Sequence, residues 1–217
     1  MRGVYERARR SLSDPPGRLQ PMRQILMVRH GESAWNAVGR WQGQADPPLS
    51  DLGRRQAFAA CAALGTVDAI VVSSLQRAFT TGCIIAEHLG VGPVVVEPDL
   101  MERAAGPWEG RTRAEIEAGW PGYLADGRRP EGYERDELLV KRATAALQRV
   151  LDEVDAETLL VVSHGGVICA LEQHLGEPFV RLPNLGGRWF TSDGSTLRLG
   201  PRVLLVEPEG MTAPRLE

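Results

Sequence analysis

Apolar positions fall into two rhythms along the chain. Ile25-Leu26-Met27-Val28, Ala69-Ile70-Val71-Val72 and Leu159-Leu160-Val161-Val162 are unbroken apolar runs, the pattern of strands covered on both faces. Between them lie longer stretches with helical spacing, at about residues 75–89 and 134–154 and again after Gly166. A further helix begins within residues 49–57, where Ser50 or Asp51 can cap its free amides. Shorter signals predict a strand over residues 93–97, a helix over about 112–118 and a last strand over 202–206. Apolar runs alternating with helical stretches predict an α/β protein: three layers, α/β/α, around a mostly parallel central sheet. No internal repeat is present.

Two stretches break these rhythms. Residues 1 to about 21 are rich in Arg, Ser, Pro and Gly without apolar periodicity, so they read as a disordered extension to one catalytic domain over residues 22–217. Arg9-Arg10 has the look of a twin-arginine export signal, but Ser13-Asp14-Pro15-Pro16 stands where an apolar segment is required, and export is rejected. Residues 102–133 intersperse Trp108, Trp120, Tyr123 and Tyr133 with Gly and Pro. Such a segment is either a lid that carries specificity or a small satellite core.

Composition narrows the functional classes. A net charge of −3 over 217 residues offers no basic face for nucleic acid, and no apolar run reaches the ~18 residues a membrane-spanning helix needs. The three cysteines, Cys61, Cys83 and Cys169, make an odd count without Cys-x-x-Cys spacing. They read as core residues of a protein from a reducing compartment, hence cytoplasmic. A homodimer stays open.

The chemistry gathers at the ends of the three apolar runs. The first opens into Arg29-His30-Gly31, the second leads to Arg77, and the third ends at His164-Gly165-Gly166. Open parallel sheets bind ligands at the carboxyl ends of their strands. Two Arg and two His converging there suit a phosphate.

Arg29-His30-Gly31-Glu32, Ser74-Leu75-Gln76-Arg77-Ala78, Trp108-Glu109-Gly110 and Ser163-His164-Gly165-Gly166 occur in an order that resembles the histidine phosphatase superfamily, the phosphoglycerate mutase-like proteins. The likeness runs from about residue 22 to about 206. It implies a phosphoglycerate mutase-like fold and places the chain near the phosphatase branch. It also implies that His30 is a nucleophile forming a phosphohistidine, that Arg29, Arg77 and His164 hold the phosphoryl oxygens, and that Asn36 donates as a neutral group. Glu102, four positions before Gly106, matches the expected proton donor. Physical chemistry agrees with those roles, because guanidiniums nearby disfavour protonation of His30 and keep it nucleophilic, and a carboxyl beside a dianion is available as an acid.

No cofactor or metal is required. His30, Glu32 and His164 could be imagined as metal ligands, but Arg29 and Arg77 in the same pocket would repel a divalent cation. His88 and His174 read as helix-end surface residues. Three functional readings follow: a phosphomonoesterase acting on a small phosphorylated metabolite, a phosphoglycerate mutase-type isomerase using the same pocket, and a non-catalytic phospholigand-binding module. Ala104-Ala105 and the short segment after Glu102 favour hydrolysis, and the retention of His30 and Glu102 disfavours the binding module. Glu131-Gly132-Tyr133-Glu134-Arg135 stands where related phosphatases have Gly-Glu-Ser, so the specificity wall is expected to differ.

Overall fold

The computed structural model describes residues 22–194 and 196–207. The expected disordered extension, residues 1–21, lies outside them. Six strands form one sheet in the order β3-β2-β4-β1-β5-β6: β1 (Arg23–Arg29), β2 (Ala69–Val72), β3 (Val95–Val96), β4 (Thr158–Ser163), β5 (Gly186–Ser192) and β6 (Leu197–Leu204). The first four pair in parallel, while β5 runs antiparallel to β1 and to β6. The helices are α1 (Ala34–Ala37), α2 (Asp51–Ala60), α3 (Gln76–Leu89), α4 (Arg113–Gly119), α5 (Asp136–Glu153) and α6 (Gly165–His174).

The unbroken apolar runs are explained by burial on both sides. Alternate residues of the central strands enter different cores: Ile25, Met27, Leu159 and Val161 meet Leu139, Leu147 and Ile168 of α5 and α6. Leu26, Val28, Leu160 and Val162 meet Ala60 of α2 and Ala78 and Ile85 of α3. Three layers result, as the alternation predicts. Ser50 caps α2 by accepting from the Gly53 amide, which releases one of the free donors of the first turn from water.

Two strands depart from the expectation. Strand β5 was not anticipated, and β6 begins at Leu197 rather than near 202. Gly186-Gly187-Arg188 carries no apolar alternation, yet a side chain at Gly187 would lie 2.7 Å from the Met27 carbonyl oxygen, so close pairing with β1 calls for glycine there. In β6, Gly200 and Pro201 conceal the strand, which tolerates proline because it is an edge. Among the described residues, no helix is long and apolar enough to cross a membrane.

Candidate active site

The parallel register sets three strand ends side by side. Arg29 pairs with Ser163, the His30 amide donates to the Ser163 carbonyl at 3.1 Å, and the Ser73 amide donates to the Val162 carbonyl at 3.0 Å. The turn after β1 is held from several directions. Its Gly31 amide donates to Thr81 Oγ1 at 3.1 Å and its Glu32 amide to Gln56 Oε1 at 2.8 Å. Helix α2 lies so near that a Cβ on Gly53 would sit 1.9 Å from the Glu32 carbonyl oxygen. Glu32 itself accepts from Ser50 Oγ at 2.7 Å. It braces the turn.

His30 is 2% exposed and its Nδ1 lies 2.6 Å from the Gly31 carbonyl. A carbonyl can only accept, so Nδ1 carries the hydrogen and Nε2 keeps its lone pair. The His164 ring stands 5.2 Å away, edge to face. Arg77, expected from the end of β2, sits in the first turn of α3 and is fully buried. Its two terminal nitrogens donate to the Ala45 and Gly43 carbonyls, both at 2.8 Å. Arg29 donates to the Leu182 carbonyl at 2.7 Å, and burial draws its guanidinium down to about 10, far enough above neutrality to leave it charged.

Two buried nitrogens of this site, Arg77 Nε and His164 Nδ1, have no hydrogen-bond partner among the described residues. Buried polar atoms are rarely left so, because desolvating a donor without a partner costs about 1–3 kcal/mol. An oxyanion at this point would satisfy both.

Glu102 approaches from the other side. Its Oε2 accepts from the Gly166 amide at 3.0 Å, in the first turn of α6, and its Oε1 from the Arg103 amide at 2.8 Å. Arg142 of α5 holds the segment before it, donating to the carbonyls of Asp99, Met101 and Glu102 at 2.6, 2.7 and 3.0 Å. The same guanidinium is bidentate to Glu134, whose Oε2 also accepts from the Ala104 amide. Glu134 thus fastens the Glu102 loop to α5. Glu109 accepts from the Gln44 and Ala105 amides at 2.9 and 3.2 Å and orients the loop.

Both histidines are held well below the ordinary imidazole range. Burial is the largest cause for each. For His30 the charges of Arg77 and Arg29 follow; for His164 they are those of Arg77, Arg29 and Arg142. The sequence suggests the guanidiniums as the reason for a neutral His30, but desolvation outweighs them. A stability prediction follows from the sign. Below about pH 6.5 an unfolded chain protonates these imidazoles while the folded one does not, so stability present above that pH is lost as pH falls toward the depressed folded values. Each contributes up to about 1.4 kcal/mol per pH unit across that window. Urea unfolding at pH 7.5, 6.5 and 5.5 should show the decline, and His164→Gln should reduce its slope; a flat profile would contradict neutral burial.

Asn36 takes part differently from a simple donor. It completes the capping box of α1 with Ser33, and its Oδ1 accepts from the Ser33 amide and from Asn184 Nδ2. With the oxygen committed, its amide nitrogen remains to donate. Asn184 was not anticipated: it also donates to the His30 carbonyl at 2.9 Å. The next residue, Leu185, has φ 54°, a left-handed conformation that costs a non-glycine residue about 1–3 kcal/mol. Its amide donates to the Arg29 carbonyl at 3.1 Å. In the sequence, the Pro183-Asn184 pair is a turn signal by which this place could be found.

The aromatics of residues 102–133 form the satellite core. Trp108 is fully buried, with Trp41, Tyr133 and Trp120 at 5.1, 5.5 and 6.4 Å between ring centres. His88 and His174 are exposed in the last turns of α3 and α6. Among the described residues no three His, Cys, Asp or Glu side chains cluster as metal ligands.

The signature of the histidine phosphatase superfamily (branch 1) matches residues 25–187. A probable phosphoglycerate mutase of Cronobacter sakazakii is 39% identical over 168 residues, 72% of this chain and 77% of that protein. A metal-independent phosphoserine phosphatase of Arabidopsis thaliana is 35% identical over 159 residues, 68% of this chain and 66% of that protein. The solved structure of a mycobacterial glucosyl-3-phosphoglycerate phosphatase complexed with VO3 superposes with a TM-score of 0.75 at 31% identity, over 82% of this chain and 97% of that one.

Proposed function

The chain belongs to the histidine phosphatase superfamily, and on that premise we propose that it is a metal-independent phosphomonoesterase acting on a small phosphorylated metabolite. One observation carries the reading: a neutral imidazole with a free Nε2 lone pair lies beside His164 and Arg77, whose buried Nδ1 and Nε have no hydrogen-bond partner among the described residues. A phosphoryl group fits both features at once. Its oxygens take the donors while its phosphorus meets the nucleophile. The phosphatases among the similar proteins support the same activity.

In the proposed reaction the Nε2 lone pair of His30 attacks phosphorus and the ester P–O bond breaks. Glu102 transfers its proton to the departing oxygen. Arg29, Arg77, His164 and Asn36 donate to the phosphoryl oxygens, whose charge spreads in the transition state. In the second half, the Glu102 carboxylate takes a proton from water, the water oxygen attacks phosphorus, and the P–N bond breaks, returning its electron pair to Nε2.

Hydrolysis is favoured over isomerisation because Ala104 and Ala105 carry no polar side chain with which to retain a product. Their backbone groups are spent on Glu134, Glu109 and Trp108. With 3-phosphoglycerate and a bisphosphoglycerate primer, free phosphate should appear faster than 2-phosphoglycerate, without added metal. Faster accumulation of 2-phosphoglycerate would establish the mutase instead. A panel of phosphorylated metabolites, scored by phosphate release, then selects the substrate. We place the protein in the cytoplasm, in keeping with its three free thiols; burial raises the pKa of each, that of Cys169 to about 11.

A further inference from the structure

We infer that Ser73 is a positioning residue that selects the tautomer of His164 and so aims an N–H at the transferring phosphoryl group. The inference rests on the phosphatase reading, which supplies the anionic ligand that accepts the His164 Nδ1 hydrogen; the contact between Ser73 and His164 Nε2 is a feature of the fold itself.

Ser73 immediately follows β2, and both it and His164 are fully buried. Its Oγ lies 2.8 Å from His164 Nε2 and accepts from the Leu75 amide at 3.3 Å. A hydroxyl has one hydrogen and two lone pairs. If Nε2 carried the imidazole hydrogen, Ser73 Oγ would accept twice, and its own hydrogen would be left without an acceptor among the described residues in a place that water does not reach. Buried hydrogens are seldom stranded in that way. If the hydroxyl instead donates to Nε2, the Leu75 N–H goes to Oγ and Oγ–H to Nε2, and the one hydrogen left over is that on the Nδ1 ring nitrogen, where a phosphoryl oxygen would accept it. That nitrogen is the one with no partner among the described residues.

The choice matters for the chemistry. A neutral imidazole presents a donor at one nitrogen and a lone pair at the other, and the hydrogen bond made by one decides what the other offers. With the Nδ1–H form, His164 meets a phosphoryl oxygen as a donor while uncharged. The opposite form would point a lone pair at an anion. The low-lying pKa of His164 makes this selection consequential, because no second proton is present near neutrality to supply both nitrogens.

The position is set by the sheet. The Ser73 amide donates to the Val162 carbonyl, so the register of β2 on β4 brings Ser73 beside the residue that caps α6. The preceding strand pairing, Val72 with Val162, leaves the two strand ends level. Leu75 stands at the entrance to α3 as its N-cap, which ties the hydroxyl to the helix that carries Arg77.

The test reads the tautomer directly. In the full chain labelled with nitrogen-15, long-range proton–nitrogen correlations at pH 7.5, assigned by loss of signals in His164→Gln, should show a protonated Nδ1 and an unprotonated Nε2 at His164. Ser73→Ala should remove that preference, lower kcat on p-nitrophenyl phosphate by about tenfold, comparable to the loss of one hydrogen bond, and weaken inhibition by orthovanadate to a similar extent. Ser73→Thr, which restores a hydroxyl, should recover the tautomer and most of the rate. A protonated Nε2 in the unaltered protein overturns the inference, whatever the activity proves to be. So does a Ser73→Ala protein with unchanged tautomer and rate. An unaltered protein with the expected tautomer but no phosphatase activity would instead refute the functional reading and leave the tautomer selection standing.

Discussion

His30→Ala should abolish turnover, with a loss on the order of 10³–10⁶-fold, the range reached when a covalent nucleophile is removed. His30 Nε2 is the imidazole nitrogen left unprotonated beside the unpartnered donors, since its Nδ1 is spent on the Gly31 carbonyl. His164 cannot replace it, because a donor at Nδ1 has no lone pair to offer and its Nε2 is engaged by Ser73. Substrate labelled with phosphorus-32, quenched rapidly without acid, should leave an acid-labile phosphoenzyme in the unaltered protein and none in the variant. Removing a buried ring also opens a cavity, so His30→Gln, nearer in volume, serves as the second variant, with circular dichroism to establish that both are folded. Label persisting in either would move the nucleophile to another residue.

Glu102→Gln should slow an alkyl phosphate by about 10²–10⁴-fold, the usual worth of general acid catalysis, while scarcely changing the burst with p-nitrophenyl phosphate. An aryloxide leaves without help; an alkoxide does not. The steady state can become limited by dephosphorylation in this variant, since the same carboxylate would activate water, so the burst phase is the proper comparison. Gly166 supplies an independent approach. A Cβ there would sit 2.2 Å from Glu102 Oε1, and a carboxylate at the end of a side chain can turn aside, so Gly166→Ala should reproduce the leaving-group selectivity with little change in thermal stability. Equal burst losses for both substrates would refute the acid role. A larger alkyl-selective loss in Glu109→Gln would transfer it to Glu109, although both bonds to that carboxylate come from loop amides.

The central strands were legible because a strand buried on both faces must be apolar throughout, and β1, β2 and β4 have no other way to satisfy two cores. Helices α3 and α5 were legible because a helix packed on one side keeps a 3.6-residue rhythm. Strand β5 was not, since its pairing depends on small residues at Gly186 and Gly187 and on a neighbour that only folding supplies. The aromatics around Trp108 were equally ambiguous in one dimension. Whether a Trp lines a pocket or fills a core depends on what lies across from it, and here Trp41, from a loop more than sixty positions earlier, lies across.

The same division holds for the site. Local sequence determined the turn after β1, the helix start at Ser50, and the presence of His30, Arg29, Arg77 and His164 in motifs at the ends of elements, because motif and turn chemistry are short-range. Tertiary structure decided the states of those groups. Neutrality of His30 comes chiefly from burial, and the aim of Glu102 comes from Arg142, forty positions away. The Asn184 contact to the His30 carbonyl joins residues 154 positions apart. Desolvation and hydrogen-bond partnership are properties of what surrounds a group in space, and an amino-acid sequence specifies them only through the fold it forms.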